Sequence, residues 1–115
     1  MKRRVNVLGT EYTVDTHRLA DDPYLKGLGG YCDDANKEIV LADLSDKAVY
    51  DYDDKAQKVE HRRILRHELL HAFLNESGLR ESSSWAKDEC CVDWFAAQFP
   101  KLLKAYMEFG VESDD

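Results

Sequence analysis

The residues with the clearest chemical potential are two histidines and a glutamate in the run His67-Glu68-Leu69-Leu70-His71. The surrounding stretch, residues 64–74, contains neither glycine nor proline and is predicted to be helical. Because residues four apart lie on one face of a helix, His67 and His71 could present two imidazole nitrogens to one metal ion. Glu68 lies one step round the helix, where its carboxylate could take a proton from a metal-bound water. This spacing predicts the core of a zinc hydrolase.

An H-E-x-x-H sequence can also occur by chance, so its surroundings must be considered. Leu65, Leu69, Ala72 and Phe73 form an apolar stripe opposite the histidines, and further apolar residues flank the histidine side itself. A helix that is apolar nearly all round is buried, and buried polar side chains need partners to offset their desolvation. The setting therefore favours a metal site over surface histidines.

Length and composition narrow the function classes. The 115 residues predict one domain, residues 1–115, of class α+β. The net charge of -7 offers no broad basic surface, so nucleic acid is not an expected partner. Three cysteines, two of them adjacent, predict reduced thiols rather than disulfides. The apolar run at residues 5–8 is too short for a signal peptide, and no run approaches a membrane span, which predicts a soluble, cytoplasmic protein.

The predicted scaffold is a small antiparallel sheet packed on the motif helix. Alternating residues predict strands between residues 5 and 42, including a first hairpin and a buried strand at residues 38–42. That last strand is expected either to be an ordinary core strand or to offer an edge to an extended peptide. Oligomeric state is not indicated by any feature of the chain.

Helices are predicted after the strands. The motif helix is expected to span residues 54–76, because Asp54 and Gln57 resemble a capping box and Gly78 suits a helix end. A second helix is expected at residues 85–99, with Pro100 ending or kinking it, and a further helical piece at residues 101–109.

A catalytic zinc usually takes a third protein ligand and keeps its fourth position for water. Glu76 lies half a turn away from the histidine face and is disfavoured. Glu89 follows His71 by eighteen residues, enough for a loop and the start of an antiparallel helix, and lies close to that helix's apolar face. Helical angles leave Asp88 and Asp93 open as well. The two adjacent thiols in the same stretch, Cys90 and Cys91, are expected to be small core residues.

The segments from Arg66 to Ala72 and from Glu89 to Pro100 resemble the ImmA/IrrE family of small gluzincin metallopeptidases, which are common in phages and mobile elements. That family carries H-E-x-x-H and then a helix of the type E-x-x-A-N-x-F-A that ends near a proline. The resemblance covers residues 39 to about 104 and implies a minimal zincin-like domain holding one zinc ion. It implies the metal ligands His67, His71 and Glu89, and Glu68 as the general base.

Two departures from the family pattern bear on the site. Leu70 stands where the family often has glycine, and Val92-Asp93 stands for Ala-Asn. Asp93 therefore remains an alternative third ligand, or an acceptor for a histidine N–H. A donor for the oxyanion is also expected, and the sequence leaves four candidates: Tyr12, Tyr31, Tyr106 and His61.

The function that follows is zinc-dependent cleavage of a protein or peptide substrate. Family members of known role often cleave a helix-turn-helix repressor, so the resemblance implies a repressor-type substrate, in the host cytoplasm if the chain is phage-encoded. One alternative is a zinc-stabilised binding module without catalysis, and another is a degenerate peptidase, against which the intact Glu68 argues. A metal-dependent ribonuclease is disfavoured, because residues 75–79 lack a third histidine and the chain is acidic.

Overall fold

The computed structural model describes residues 2–115 and has the expected α+β architecture, a four-stranded sheet packed against helices. The helices α1 and α3 are long, α2 is a single turn, and two short 3-10 turns cover Pro23–Leu25 and Ser84–Lys87. The elements in chain order are β1 (Arg3–Val7), β2 (Thr10–His17), β3 (Gly30–Asp33), β4 (Glu38–Ala42), α1 (Asp54–Glu76), α2 (Leu79–Ser82) and α3 (Glu89–Glu108).

The sheet is mixed, so the prediction of a small antiparallel sheet was wrong for its central pair of strands. The strand order is β1-β2-β4-β3, with antiparallel outer pairs and a parallel β2–β4 pair in which Val14 lies opposite Ile39. Parallel neighbours need a crossover of a dozen or more residues, and the segment between β2 and β4 supplies it. Alternation along a strand reports which face is buried and does not report strand direction.

Strand β4 is the buried centre of the molecule. Ile39 and Leu41 face α1, while Val40 and Ala42 face a second apolar layer under Leu25, and all four are at most 3% exposed. This two-sided burial explains the continuous apolar run in the sequence. Because β4 lies between β2 and β3, it has no free edge, so the expectation that β4 could pair with an extended peptide was wrong. The edge strand on this side is β3.

Helix α1 has the predicted bounds, and one apolar side covers the sheet. Its N-cap is Asp53, one residue before the expected cap, whose side chain accepts a hydrogen bond of 2.8 Å from the N–H of Ala56. Gly78 follows the helix with φ 81°, the left-handed conformation that suits glycine. The side chains that pack on the sheet core are Ile64, Leu65, Leu69 and Ala72, and Leu70 and Leu74 pack towards Ala86 and Val92.

Helix α3 is one continuous helix with Pro100 inside it. The prediction that Pro100 separates two C-terminal helices was therefore wrong. Proline cannot donate to the carbonyl four residues earlier, which is that of Ala96. The side chain of Arg66 on α1 donates to this carbonyl instead, with an Nε–O distance of 2.8 Å. The start of the helix also differs from the expected residue 85, because α3 begins at Glu89 after the N-cap Asp88.

The apolar face predicted for this helix is only partly used. Val92 and Ala96 are buried against α1, whereas Trp85, Phe95 and Phe99 are between 40% and 50% exposed. Cys90 and Cys91 are exposed free thiols, which corrects the expectation that they lie in the core. The contact with α1 involves a narrow stripe of α3, and both cysteines lie outside it. No helix within residues 2–115 has the length and apolar character needed to cross a lipid bilayer.

Candidate metal centre

The two motif histidines lie side by side on α1, on the side that faces the start of α3. Their Nε2 atoms are 3.1 Å apart, and less than a fifth of each side chain is exposed. Glu68 is the only buried charged residue in the described part of the chain. His67, Glu68 and His71 each offer a donor atom within 4.8 Å of the others, so this group could hold a metal ion.

Glu89, the first residue of α3, brings a carboxylate to both histidines. Its Oε2 lies 2.9 Å from Nε2 of His67, and its Oε1 lies 3.0 Å from Nε2 of His71. Both distances are short enough to place the Glu89 carboxylate in direct contact with the two rings. Its side chain is 68% exposed, which corrects the expected position against an apolar face. Glu89 therefore covers the histidines from the open side.

Asp93 contacts the opposite nitrogen of His67, with a distance of 3.0 Å between Oδ1 and Nδ1. Both ring nitrogens of His67 therefore face a carboxylate, Nδ1 that of Asp93 and Nε2 that of Glu89. A cation bound at Nε2 would leave the hydrogen on Nδ1, where it is donated to Asp93. The other candidates lie elsewhere: Asp88 caps α3 by accepting from the N–H of Cys90, and Glu76 accepts from Tyr12 and Lys37. The geometry thus separates Glu89 from Asp93 by the ring nitrogen that each one contacts.

The electrostatics of the centre are dominated by burial. Burial raises the pKa of the Glu68 carboxyl to about 7, with a lowering contribution from His67 and a raising one from Glu89. Burial also lowers the pKa of His71, against the opposing effect of the Glu89 carboxylate. Both shifts favour the uncharged forms of these side chains, in which an imidazole can bind a cation and a carboxyl can give or take a proton near neutral pH.

A cleft of about 840 Å³ opens beside these residues, between the β3 edge and the two long helices. It has basic side chains from Arg63, Arg80 and Lys87 along its lining, although the chain as a whole is acidic. Gly30 forms part of its wall at the start of β3, where a Cβ would lie 2.8 Å from the carbonyl oxygen of Val40. A side chain at this position would force the strands apart and narrow the approach to the histidines.

Of the four residues predicted as oxyanion donors, only Tyr31 lines the cleft. Its hydroxyl donates to Asp22 over 2.7 Å, so it is already engaged. Tyr12 is fully buried and bonded to Glu76, Tyr106 is exposed and is not part of the cleft lining, and His61 lines a separate depression. The structure does not bring these four together at the metal centre.

Sequence reasoning missed Asn75, which lines the same cleft one helical turn beyond His71. Its Oδ1 is the one buried side-chain oxygen or nitrogen without a hydrogen-bond partner among residues 2–115, while its Nδ2 lies 3.8 Å from Sγ of Cys32. The signal was present in the sequence, because residues 67, 71 and 75 are spaced four apart and share one helical face. An amide there could donate to or accept from a molecule bound in the cleft.

Comparison with known proteins adds no relative: no family model, curated protein or solved structure matches the chain.

Proposed function

We propose that this chain is a zinc-dependent endopeptidase. The observation that carries the proposal is the convergence of three donor groups, Nε2 of His67, Nε2 of His71 and the carboxylate of Glu89, at mutual distances of 2.9–3.1 Å. With bonds of about 2.0–2.1 Å, a tetrahedral zinc ion separates its ligand atoms by roughly 3.3 Å. A small outward movement of exposed Glu89 would accommodate the ion, so these residues fit zinc.

Asp93 supports the same interpretation. A metal-binding histidine almost always donates its other ring N–H to a carboxylate, carbonyl or water, which fixes the ring and its tautomer. Asp93 supplies that acceptor for His67. Asp93 is engaged in this way, and Cys90 and Cys91 are exposed thiols. With Glu68 assigned as the base and not as a ligand, His67, His71 and Glu89 leave the fourth position to water. Three ligands with an open position are typical of catalytic rather than structural zinc.

Glu68 is the proposed proton carrier. When bound, zinc lowers the pKa of water and polarises a carbonyl oxygen, which is the chemistry that peptide hydrolysis requires. Glu68 would accept a proton from the attacking water and deliver it to the leaving amine. A carboxyl with a pKa close to 7 is suited to both transfers, since efficient acid–base catalysis needs a pKa near the working pH. His67 and His71 would hold the ion, and Glu89 would complete its protein ligands.

The substrate is proposed to be an extended peptide. β3 is an edge strand that borders the cleft, so its unpaired main-chain groups could hold a peptide as an added strand. This replaces the role that the sequence suggested for β4. The resemblance to ImmA/IrrE peptidases, a repressor-type substrate and a cytoplasmic location belong to this proposal, supported by the matching residues His67, Glu68, His71 and Glu89.

The decisive experiment measures bound zinc and proteolysis in the same set of variants. Wild-type protein is expected to bind one zinc per chain and to cleave an unstructured protein substrate, with loss of cleavage after chelation and recovery on adding zinc. His67→Ala and Glu89→Ala are expected to weaken zinc binding, and Glu68→Gln to keep zinc and lose cleavage.

Each result has a clear contrary outcome. Cleavage that persists in Glu68→Gln would rule out the proposed base. Zinc that is bound without cleavage by the wild-type chain, on any of a broad panel of peptides, would instead favour a zinc-stabilised binding module.

A further inference from the structure

Arg66 connects the two helices that form the metal centre. Its guanidinium Nε donates to the main-chain carbonyl of Ala96 over 2.8 Å, and this contact is partly buried. Arg66 precedes His67 directly, and Ala96 lies three residues after Asp93. The contact is therefore placed immediately beside the centre, although neither of its partners would bind the metal.

Pro100 is the reason that this carbonyl is available. In an uninterrupted helix the N–H of residue 100 would donate to the carbonyl of residue 96, and proline has no N–H. Ala96 is only 5% exposed, so solvent has little access to its carbonyl. A buried carbonyl without a partner is destabilising, and Arg66 removes that penalty. Proline on α3 and arginine on α1 thus act as one pair.

Three contacts form a ladder between the antiparallel helices. Moving along α1, Arg66 contacts Ala96, His67 contacts Asp93, and His71 contacts Glu89. One residue of a helix corresponds to a rise of about 1.5 Å, so a shift of α3 by a single residue would displace Glu89 by that distance relative to both histidine nitrogens. Of these three polar contacts, only that of Arg66 does not use a side chain proposed to bind the metal or to orient a ligand.

We infer that Arg66 is a positioning residue: its contact with the carbonyl that Pro100 leaves free sets the position of α3 along α1 and so holds Glu89 and Asp93 at the histidines. This inference depends on the metal centre of the proposed function and not on peptide hydrolysis. A proline inside a helix is ordinarily only destabilising, and here it leaves free the carbonyl that Arg66 uses.

The test compares zinc affinity, measured by competition with a chromophoric chelator, in Arg66→Met, Pro100→Ala and the double variant. Arg66→Met is expected to bind zinc about tenfold more weakly, the effect typical of losing a residue that orients a metal ligand. Pro100→Ala returns an N–H to the Ala96 carbonyl and is expected to keep full affinity, because the second lone pair still accepts from Arg66. The double variant has a satisfied carbonyl and remains folded, yet is expected to show the same tenfold loss.

Substituting Co²⁺ for zinc adds a measurement that does not depend on the stability of the protein. The visible absorption of bound Co²⁺ reports the number and geometry of its ligands. A weaker, shifted absorption is expected whenever residue 66 is methionine. Arg62→Met is the matched control, because it removes the same charge from an exposed position on α1 and should change affinity by less than about twofold.

The outcomes separate the two proposals. If the double variant binds zinc as tightly as Pro100→Ala, Arg66 merely satisfies a carbonyl and the inference is wrong. If the wild-type chain binds no zinc, the metal centre itself is wrong and the inference falls with it. The inference is supported if Arg66→Met lowers zinc affinity both in the wild-type chain and in the Pro100→Ala variant.

Discussion

Two glutamates on α1, eight residues apart, occupy opposite environments. Glu76 near the end of the helix accepts hydrogen bonds of 2.8 Å from both the Lys37 ammonium and the Tyr12 hydroxyl. Lys37, with further hydrogen bonds from Thr10 and Tyr12, lowers the pKa of Glu76 to about 2. Burial instead raises the pKa of Glu68 to about 7. At neutral pH Glu76 is therefore charged, whereas the pKa of Glu68 lies close to the surrounding pH.

The difference separates a glutamate that holds the end of α1 in place from one that lies in the candidate metal centre. Hydrogen bonds and a cation favour the charged carboxylate of Glu76, which ties the end of α1 to Tyr12 on β2 and Lys37 beside β4. Glu68 has burial as its main influence, and a desolvated carboxyl beside two histidines is typical of a functional position. The comparison leads to four expected outcomes, given from the largest effect to the smallest.

Glu68→Gln should lower peptide hydrolysis by about 10²–10⁴-fold, the usual contribution of a positioned general base. Stability should stay the same or rise, because the variant removes a carboxyl that burial penalises. The measurement is the rate of cleavage of a fluorogenic peptide, together with the urea midpoint. A lower urea midpoint would mean that Glu68, like Glu76, mainly supports the fold.

Asp93→Asn should weaken zinc binding by about 10–100-fold, because the acceptor for Nδ1 of His67 loses its charge. Asp88→Asn is the matched control, since asparagine caps helices as well as aspartate does and Asp88 is bonded to the N–H of Cys90. Competition with a chelator gives both affinities. Equal values for the two variants would show that only overall charge is involved.

Tyr12→Phe should lower the free energy of unfolding by about 1.5–3 kcal/mol, the range for a hydrogen bond to a charged group. Its hydroxyl donates to Glu76 from a side chain that is fully buried, so the substitution removes one of the donors of the Glu76 carboxylate. Urea unfolding measures the change, and Tyr24→Phe, at a mostly exposed tyrosine, should have almost no effect. Zinc affinity should be unchanged in both variants, which would place the Glu76 cluster outside the metal centre.

The smallest effect concerns pH. Glu76 has an ordinary pKa of 4.5 and a folded-state pKa of about 2, so between these values the unfolded chain binds more protons than the folded one. Its contribution to stability is complete above pH 4.5 and is lost as the pH falls towards 2. Glu76→Gln should therefore flatten the decline in stability between pH 4.5 and 2. Glu112→Gln in the exposed C-terminal segment should keep the wild-type slope.

Capping residues in the sequence correctly predicted α1, the helix that carries His67, Glu68 and His71. The bounds of α1 follow from an aspartate cap and a glycine stop that lie within a few residues of the helix ends, so sequence alone located them. The predicted residues Glu89 and His71 are brought together because the eighteen-residue spacing allows an antiparallel return. The choice between Glu89 and Asp93 could not be made from helical angles, since it depends on which ring nitrogen each one meets in space.

The failures of prediction have a common cause in tertiary contacts. Pro100 was expected to interrupt α3, and the compensating donor, Arg66, lies 34 positions earlier in the chain. Burial of Cys90 and Cys91 depends on how much of α3 is covered by α1, which periodicity does not report. The parallel pairing of β2 with β4 depends on the order of the strands in the sheet, which the sequence of each strand does not specify. Each of these is decided by a residue distant in sequence.

The candidate metal centre is divided across the connection at residues 77–88, with both histidines before it and Glu89 and Asp93 after it. Because the ribosome makes a chain from its N-terminus, every residue of the sheet and of α1 is added before either acidic side chain. A polypeptide released before residue 89 would carry both histidines and Glu68, yet would lack the carboxylate that covers them. The candidate centre and the cleft, which α3 also lines, are therefore completed only when α3 has been made.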